Sequence, residues 1–352
     1  MRVPFVWLAA VAALVGASAV ACGGSGDQAS APAGTQASGA VGKIDPKTLA
    51  AKKQAPASLA TDDPAWNGAP VMTATMEVVK GTKPTAAPTI DAQALYNGTD
   101  VWFRFQWADT TQDIGRPYVY DGNKWALSER MSDRLSLLWP IGNIAEFEIQ
   151  GCYAACHSEK ADKSAPVDKN AYMLMPNKGD RADNWQWTAE TTAPVGQVDD
   201  LRLEGSLADP KKLGSAIVKD KLDSGGAIAN AVPTPGVGPL KMQDPAKKPT
   251  YGGGYLAPGD AVALDMSKVK AGDQIPRRLV APLVGSEGDI ASKATYANGK
   301  WTVVMHRKLN TTHDDDIQFV AGQSYLFTLG VWDGLDQVNH TVTRDMFTLT
   351  LK

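Results

Sequence analysis

Apolar and polar residues alternate along several segments of the chain, as they do in β-strands that bury one face. In the segment VWFRFQW, large apolar residues occupy every second position from Val101 to Trp107, and Trp102, Arg104 and Gln106 separate them. Because successive side chains of a strand point to opposite faces, this spacing predicts a strand with one face in a core. The same pattern predicts further strands in the segments 71–79, 134–139, 145–150, 300–309, 324–332 and 345–352.

Two Asn-Gly pairs stand directly before strands of this kind. Asn97-Gly98 precedes the segment that begins at Val101, and Asn298-Gly299 precedes the segment that begins at Lys300. Asn-Gly is the residue pair that tight turns between antiparallel strands favour, because both residues tolerate positive φ. The sequence therefore predicts a β-hairpin at each pair.

Helical periodicity is weak by comparison. The best helical candidates are short, around Asp209–Lys221 and Asp265–Lys270. Residues 222–262 show neither a period nor bulky side chains, so we expect a long ordered loop there rather than a domain. Many short strands between turn residues predict a mostly β fold: an antiparallel β-sandwich, immunoglobulin-like or carbohydrate-binding-module-like, with long loops and a few short helices.

The first 21 residues have the features of an export signal. Arg2 precedes an apolar run that ends in small residues, and the run is shorter than the ~20 residues a membrane-spanning helix needs. Ala19-Val20-Ala21-Cys22 resembles a bacterial lipobox, which predicts lipidation of Cys22 and a periplasmic or cell-surface lipoprotein anchored to a membrane. The same residues also fit the cleavage site of ordinary signal peptidase.

Composition divides the rest of the chain. Residues 22–61 are rich in Gly, Ala, Ser and Pro, which predicts a disordered linker, and residues 62–352 carry nearly all the tryptophan and predict one folded domain. The net charge of −3 is of mixed sign. It offers no basic field for nucleic acid and no polybasic patch for a membrane surface.

The segment GCYAACHSEK carries the most chemistry, because Cys152, Cys156 and His157 lie together in it. A disulfide is the ordinary expectation in an exported protein, but the loop it would close is very small and His157 would have no role. Zinc would need four ligands, usually as two close pairs, and the other histidines, His306, His313 and His340, are scattered singly.

Covalent haem is the third alternative. Two cysteines bind the haem vinyl groups as thioethers, and the histidine after the second cysteine ligates the iron. The usual motif is C-x-x-C-H, and this chain has one residue more between Cys152 and Cys156. The spacing alone does not decide between haem and a disulfide.

Motifs around this segment resemble a known haem-binding family. That family contains the ethylbenzene dehydrogenase γ subunit and is also described as the cytochrome c-552/DMSO-reductase-like haem-binding domain. The matching motifs are Asp133-Arg134-Leu135, Trp139-Pro140-Ile141, Gly151-Cys152, Cys156-His157, Asp183-x-Trp185-x-Trp187, Ala193-Pro194-x-Gly196, Asp200, Arg202, Ile275-Pro276, Gly299-Lys300-Trp301-Thr302, Arg307-Lys308-Leu309 and Val331-Trp332-Asp333-Gly334.

The resemblance implies a β-sandwich with one haem at the edge of the sheets, used for electron transfer. The γ subunits hold a non-covalent haem b through methionine and lysine. Cys152, Cys156 and His157 depart from that pattern and suit a c-type (CxxxCH) branch, with one covalent haem c and His157 as the proximal ligand.

The distal iron ligand has several candidates. Met173 and Met175 follow the motif, where the family places its methionine, and methionine is also common core filler. His306 is a rival ligand. Trp185 and Trp187 are expected to border the haem and exclude water, with plain core packing as the alternative.

The segment THDDDIQF raises a separate question. Asp314, Asp315 and Asp316 are consecutive, so they lack the alternating spacing of a calcium-binding loop. We expect a solvated turn.

Together these features predict an exported, lipid-anchored monohaem c-type cytochrome that transfers single electrons and has no catalytic residues of its own. Its expected partners are redox proteins, such as a molybdenum oxidoreductase or other cytochromes, and not nucleic acid. Two alternatives stay open. One is a haem-free carbohydrate-binding or adhesion sandwich that stacks sugars on Trp102, Trp125 or Trp332. The other is a γ subunit of a molybdenum enzyme with non-covalent haem b.

Overall fold

Two β-sheets pack face to face and enclose the main core of the protein. The computed structural model describes residues 47–78, 89–155, 175–204, 217–231, 238–334, 341–343 and 345–352. The predictions for the export signal, Cys22, Cys156, His157 and Met173 lie outside the described residues. Within the described part of the chain, no helix is long and apolar enough to cross a membrane.

The first sheet has the strand order β1-β22-β20-β9-β10-β11-β12, and β21 pairs with both β20 and β4. Neighbouring strands are antiparallel except β1 and β22, which are parallel. The strands of this sheet are β1 (Thr48–Ala50), β4 (Glu77–Val78), β9 (Arg134–Ile141), β10 (Arg181–Thr188), β11 (Asp199–Leu203), β12 (Ile217–Lys219), β20 (Ser324–Trp332), β21 (Thr341–Val342) and β22 (Phe347–Thr350).

The second sheet has the order β18-β19-β6-β5-β2, and β3 also pairs with β5. Its strands are β2 (Lys52–Lys53), β3 (Met72–Thr75), β5 (Thr89–Tyr96), β6 (Asp100–Ala108), β18 (Ala291–Ala297) and β19 (Lys300–Lys308). Alternate residues of β6 and β19 are buried against the first sheet, so the alternation read from the sequence is the alternation between core and outer face.

Short elements complete the described structure. The remaining strands are β7 (Tyr118–Tyr120), β8 (Trp125–Leu127), β13 (Leu222–Ala229), β14 (Lys241–Gln243), β15 (Ala261–Ala263), β16 (Gln274–Ile275) and β17 (Arg278–Gly285). The α-helices are α1 (Phe147–Gln150) and α2 (Cys152–Ala155), and the 3₁₀ turns are Pro64–Trp66, Pro258–Asp260, Met266–Lys268 and Ser286–Gly288.

The mostly β sandwich predicted from the sequence is confirmed, and so are both hairpins. Asn298 and Gly299 join β18 to β19 with φ of 53° and 68°, the left-handed pair that a two-residue turn requires. Asn97 and Gly98 lie in the turn between β5 and β6, where the Asn97 side chain accepts hydrogen bonds from the backbone of Thr99 and Asp100.

Three segments differ from their sequence predictions. The predicted strand 145–150 contains helix α1 instead, because Gly142 and Glu146 take positive φ and end the extended backbone before Phe147. Part of the predicted loop 222–262 is the strand β13, which pairs with β17. The helix expected up to Lys221 includes the strand β12. For β12 and β13, the partner strand that decides the conformation lies elsewhere in the chain.

The linker predicted for residues 22–61 is too long at its C-terminal end. The strand β1 pairs with β22, and Leu49 is fully buried in the main core. The backbone N–H of Ala51 donates to the carbonyl of Thr350 at 2.9 Å. The β-structure therefore includes residues before Asp62, although their small side chains resemble linker composition.

Candidate functional site

An apolar cluster covers the outer face of the first sheet, beside the connection between β9 and β10. We call it the outer-face cluster. All its members are buried, and each is apolar: Leu138, Ile144, Phe147, Ala155, Met175, Ala182, Leu203 and Val342. Four of the strands in this sheet, β9, β10, β11 and β21, supply its floor, and the segments that enter and leave the β9–β10 connection supply its cover.

Glycines and a left-handed residue direct the chain onto this surface after β9. Gly142, Glu146 and Gly151 take φ of 78°, 62° and 52°. Gly151 separates the single turns α1 and α2, and the backbone N–H of Ala154 donates to the carbonyl of Gly151 at 3.0 Å. Positive φ is cheap for glycine and costly for most other residues, so two glycines place these turns over the sheet.

The cysteine motif begins inside this arrangement. Cys152 is the first residue of α2, and Ala155, the last residue of α2, is fully buried in the outer-face cluster. Cys156 and His157 come next in the sequence and lie outside the described residues. The residue that directly precedes Cys156 in the sequence therefore lies in the outer-face cluster.

Met175 lies in the same cluster and is 2% exposed. It is the first described residue after the motif. The structure therefore brings the segment that enters the motif and one of the two candidate methionines to one apolar surface. Met173 lies outside the described residues.

Trp185 and Trp187 lie on the other face of β10. Both are fully buried in the main core between the sheets. The ring centroids of Trp187 and Trp301 are 5.0 Å apart, and those of Trp185 and Trp139 are 5.3 Å apart. Both tryptophans therefore pack the core, as in the alternative interpretation, because their odd-numbered positions face away from Ala182 and the outer-face cluster. That they border a haem stays a prediction.

His306 lies on the outer face of the second sheet. Its Nε2 is 3.0 Å from Oδ1 of Asp100, and its ring stacks on Trp102 with centroids 4.9 Å apart. Met305, the preceding residue, is buried in the main core. Because the two sheets lie between them, the structure does not bring His306 together with Met175.

The outer-face cluster is a dry apolar packing region whose members are at most 6% exposed. Among its eight members, none is charged or hydrogen-bonding through its side chain, and the sulfur of Met175 is the only side-chain heteroatom. A thioether is a soft ligand that suits haem iron. These side chains exclude water beside the segment that enters the motif, and they include the sulfur of Met175; Met346 packs against them and is partly buried.

The geometry defines a class of protein: a two-sheet β-sandwich in which the segment before the cysteine-histidine motif packs on an apolar outer face that also contains a methionine. The particular family follows from the family model of ethylbenzene dehydrogenase, which matches residues 63–342. The chain belongs to this family.

No curated protein matches the chain. Among solved structures, a candidate carbohydrate-binding protein from Bacteroides uniformis is similar at 9% identity and a TM-score of 0.37, covering 87% of this chain and 99% of the other. A family 9 carbohydrate-binding module from Caldicellulosiruptor kristjanssonii, in complex with glucose, is similar at 7% identity and a TM-score of 0.32, covering 87% and 96%.

Proposed function

We propose that this protein is an exported monohaem c-type cytochrome that transfers single electrons between redox partners. One observation carries the proposal: Ala155, one residue before Cys156, and Met175 are buried in the same apolar cluster. The segments on either side of the motif therefore return to one surface. Membership of the ethylbenzene dehydrogenase family supports the same conclusion.

Each residue of the site has a role in this proposal. Cys152 and Cys156 form the two thioether bonds, and His157 is the proximal ligand. Met175 is the distal ligand, in preference to His306, because Met175 lies beside the segment that enters the motif. The haem supplies one-electron oxidation and reduction, and the chain supplies attachment, axial ligands and an apolar wall.

The residues that the structure describes fit such a group. The apolar members of the outer-face cluster can bury one side of a haem, and low polarity around the iron with a thioether ligand favours the reduced state. Lys178 is exposed and lies three residues after Met175 in the sequence. A cationic side chain there suits the haem propionates.

The setting of the protein is part of the proposal. We infer that Cys22 is lipidated and that the protein works in the periplasm or at the cell surface, where haem attachment takes place. The partners are other redox proteins, such as a molybdenum oxidoreductase or a second cytochrome. The protein has no catalytic site of its own and acts as an electron carrier.

A haemochrome measurement tests the proposal. The full chain is produced together with a haem-attachment system and extracted with acidified acetone, and the pyridine haemochrome spectrum of the polypeptide is recorded. We expect the haem to stay on the wild-type chain. In Cys152→Ser and Cys156→Ser we expect the chain either to lose the haem or to hold it through a single thioether bond. A Ser136→Ala variant, on the outer face of β9, is the control that keeps its haem.

Two other results would each point elsewhere. Haem that leaves with the acetone would show a non-covalent haem b, as in the γ subunits. A colourless protein with Cys152 and Cys156 in a disulfide would favour the carbohydrate-binding alternative. Trp102 is a poor sugar platform for that alternative, because the residue is only 8% exposed and its ring stacks on His306.

A further inference from the structure

Four aspartates that are distant in the sequence meet beside the main core. Asp183 lies in β10, Asp200 in β11, Asp220 directly after β12, and Asp316 in the connection between β19 and β20. None is more than 4% exposed. We call these four residues the buried acidic cluster. The prediction of a solvated turn at 314–316 fits Asp314, whose side chain is 97% exposed, and fails for Asp316.

The carboxylate oxygens are close together. Asp183, Asp200 and Asp316 each offer an oxygen, and these three atoms lie within 4.8 Å of one another. Oxygens of Asp220, Asp315 and Asp316 satisfy the same limit, so Asp316 joins the two groups. Like charges at such distances repel strongly in a buried setting.

Nearby cations balance only part of this charge. Arg307 is buried, and its Nη1 is 3.0 Å from Asp183 Oδ2 but 3.9 Å from the nearest oxygens of Asp200 and Asp316. Its Nη2 donates to the carbonyl of Ile317. One guanidinium therefore faces three carboxylates and bonds one of them.

A second arginine, Arg202, also lies near more carboxylates than it hydrogen-bonds. Arg202 donates through Nη1 to Asp315 at 2.6 Å and through Nε to Glu204 at 3.1 Å, whereas Asp220 is 3.6 Å from Nη1. Asp220 is thus left without a hydrogen bond from the arginine that lies nearest to it.

Several oxygens of the cluster have no hydrogen-bond partner in the described part of the chain. They are both carboxylate oxygens of Asp200, both of Asp220, and Oδ1 of Asp183 and of Asp316. A buried carboxylate without a partner is expensive, because the charged form loses its hydration. A native fold that keeps such oxygens together needs a positive charge or protons among them.

We propose that the buried acidic cluster is a calcium-binding site. Calcium takes six to eight oxygen ligands and accepts carboxylates in one-atom or two-atom contact with flexible geometry. The unpartnered oxygens of Asp183, Asp200, Asp220 and Asp316 supply such a set. Magnesium keeps several waters and demands an octahedron, and zinc prefers nitrogen and sulfur.

Partly exposed charged and polar groups border the cluster on one side. Asp289, His313 and Asp315 surround Asp316 and are exposed or half-buried. His313 Nδ1 is 3.5 Å from Asp316 Oδ2 and 3.8 Å from Asp289 Oδ2. A cation that approaches from this side meets the carboxylates of Asp289 and Asp315 before it meets the buried oxygens.

The first test uses wild-type protein, and it does not depend on the haem proposal. The full chain is dialysed against EDTA, and its Tm is measured at pH 7.5 in CaCl₂, in MgCl₂ and in NaCl of equal ionic strength. We expect calcium to raise Tm by about 3 °C or more, because a ligand of the folded state alone stabilises it. An equal Tm in all three salts would overturn the proposal.

The second test locates the site. Terbium, which occupies calcium sites, should show luminescence excited through tryptophan, because Trp185 is two residues from Asp183 on the same face of β10. Asp200→Asn should abolish the calcium shift in Tm and the terbium signal. The matched control is Asp314→Asn, since Asp314 has the same side chain, is exposed and is adjacent to Asp315.

Asp220→Asn is a second variant for the case in which Asp200→Asn does not fold. An Asp220→Asn protein that responds to calcium like wild type would contradict the site as proposed. A calcium response that Asp314→Asn reduces as much as the buried variants would also contradict it, because it would indicate surface binding. If the cluster holds protons instead of a metal, Asp200→Asn should raise Tm at pH 7.5 and calcium should have no effect.

Discussion

Met305 and His306 are neighbours in β19, and they have opposite surroundings. Met305 is fully buried in the main core, whereas His306 pairs with Asp100 and stacks on Trp102 outside it. In the first sheet, Ala182 faces outward and Asp183 faces inward in the same way. At the scale of the residue, an odd or even position in a strand decides whether the side chain faces the core or the outer face, and therefore which groups it can contact.

Met175 provides the residue-scale prediction. In haem-loaded protein, Met175→Leu keeps the volume of the side chain but removes the sulfur, so we expect the methionine-to-iron absorption band to disappear and the reduction potential to fall. The measurements are the visible spectrum of the oxidised protein and a redox titration.

His306→Ala is the control for this variant. It removes the rival ligand from the other sheet, and we expect the spectrum and the potential to stay at the wild-type values. The reverse result, a spectrum that changes in His306→Ala and not in Met175→Leu, would exclude Met175 as the distal ligand.

At the scale of the element, β1 shows how a short segment can be fixed by its partner. Thr48, Leu49 and Ala50 pair in register with Thr348, Leu349 and Thr350. The strand is three residues long, and its composition resembles that of the segment before it. Only the parallel pairing with β22 and the burial of Leu49 distinguish it as structure.

A truncation series tests this element. A chain that begins at Asp62 loses the burial of Leu49 and the edge strand beside β22, so we expect its free energy of unfolding to fall by about 3 kcal/mol or more. The comparison is a chain that begins at Ile44, where the compact unit begins, and it should keep the stability of the longer protein. Urea unfolding followed by tryptophan fluorescence measures both, and equal midpoints would show that β1 contributes nothing.

At the scale of the whole molecule, buried carboxyl groups couple stability to pH. Burial raises the pKa of Asp109 to about 6, and burial together with Asp109 raises the pKa of Asp133 to about 8. Asp113 and Asp333 add negative charge around this pair, and Arg130 partly balances it. Asp133 also accepts hydrogen bonds from the N–H groups of three other residues: Asp113, Trp301 and Gly334.

The direction of the pH effect follows from these raised pKa values. Both lie above the ordinary aspartate pKa, so between about pH 4 and pH 8 the folded protein binds more protons than the unfolded chain. The free energy of unfolding should therefore fall as pH rises through that window. Urea midpoints in EDTA at pH 5 and pH 8 measure it.

Asp109→Asn isolates the contribution of this pair. The variant removes the charge that raises the pKa of Asp133, so we expect a smaller fall in stability between pH 5 and pH 8 than in wild type. Asp62→Asn, at an exposed position, should leave the pH dependence unchanged. A fall of the same size in all three proteins would show that other groups cause it.

Much of the fold could be predicted from local pattern. The alternation in β6, β19 and β20 and the two Asn-Gly turns are properties of a few consecutive residues, so the sequence specifies them directly. The segment 145–150 misled the prediction because AEFEIQ alternates like a strand. Its helix depends on the positive φ of Gly142 and Glu146, which the alternation does not reveal.

The features of the candidate site also divide into those that the sequence specifies and those that only the tertiary structure specifies. The sequence by itself determined the β-sandwich, the hairpins and the family, and it placed Cys152, Cys156 and His157 in one short motif. Strand alternation, turn residues and a short motif are local properties, so the sequence specifies them directly. Only the tertiary structure decided that Met175 shares a surface with the segment that enters the motif, that Trp185 and Trp187 pack the core, and that His306 lies on the other sheet. The buried acidic cluster belongs to this second group, because its residues come from four separate parts of the chain. Strand pairing and the connection between β19 and β20 bring their charges together.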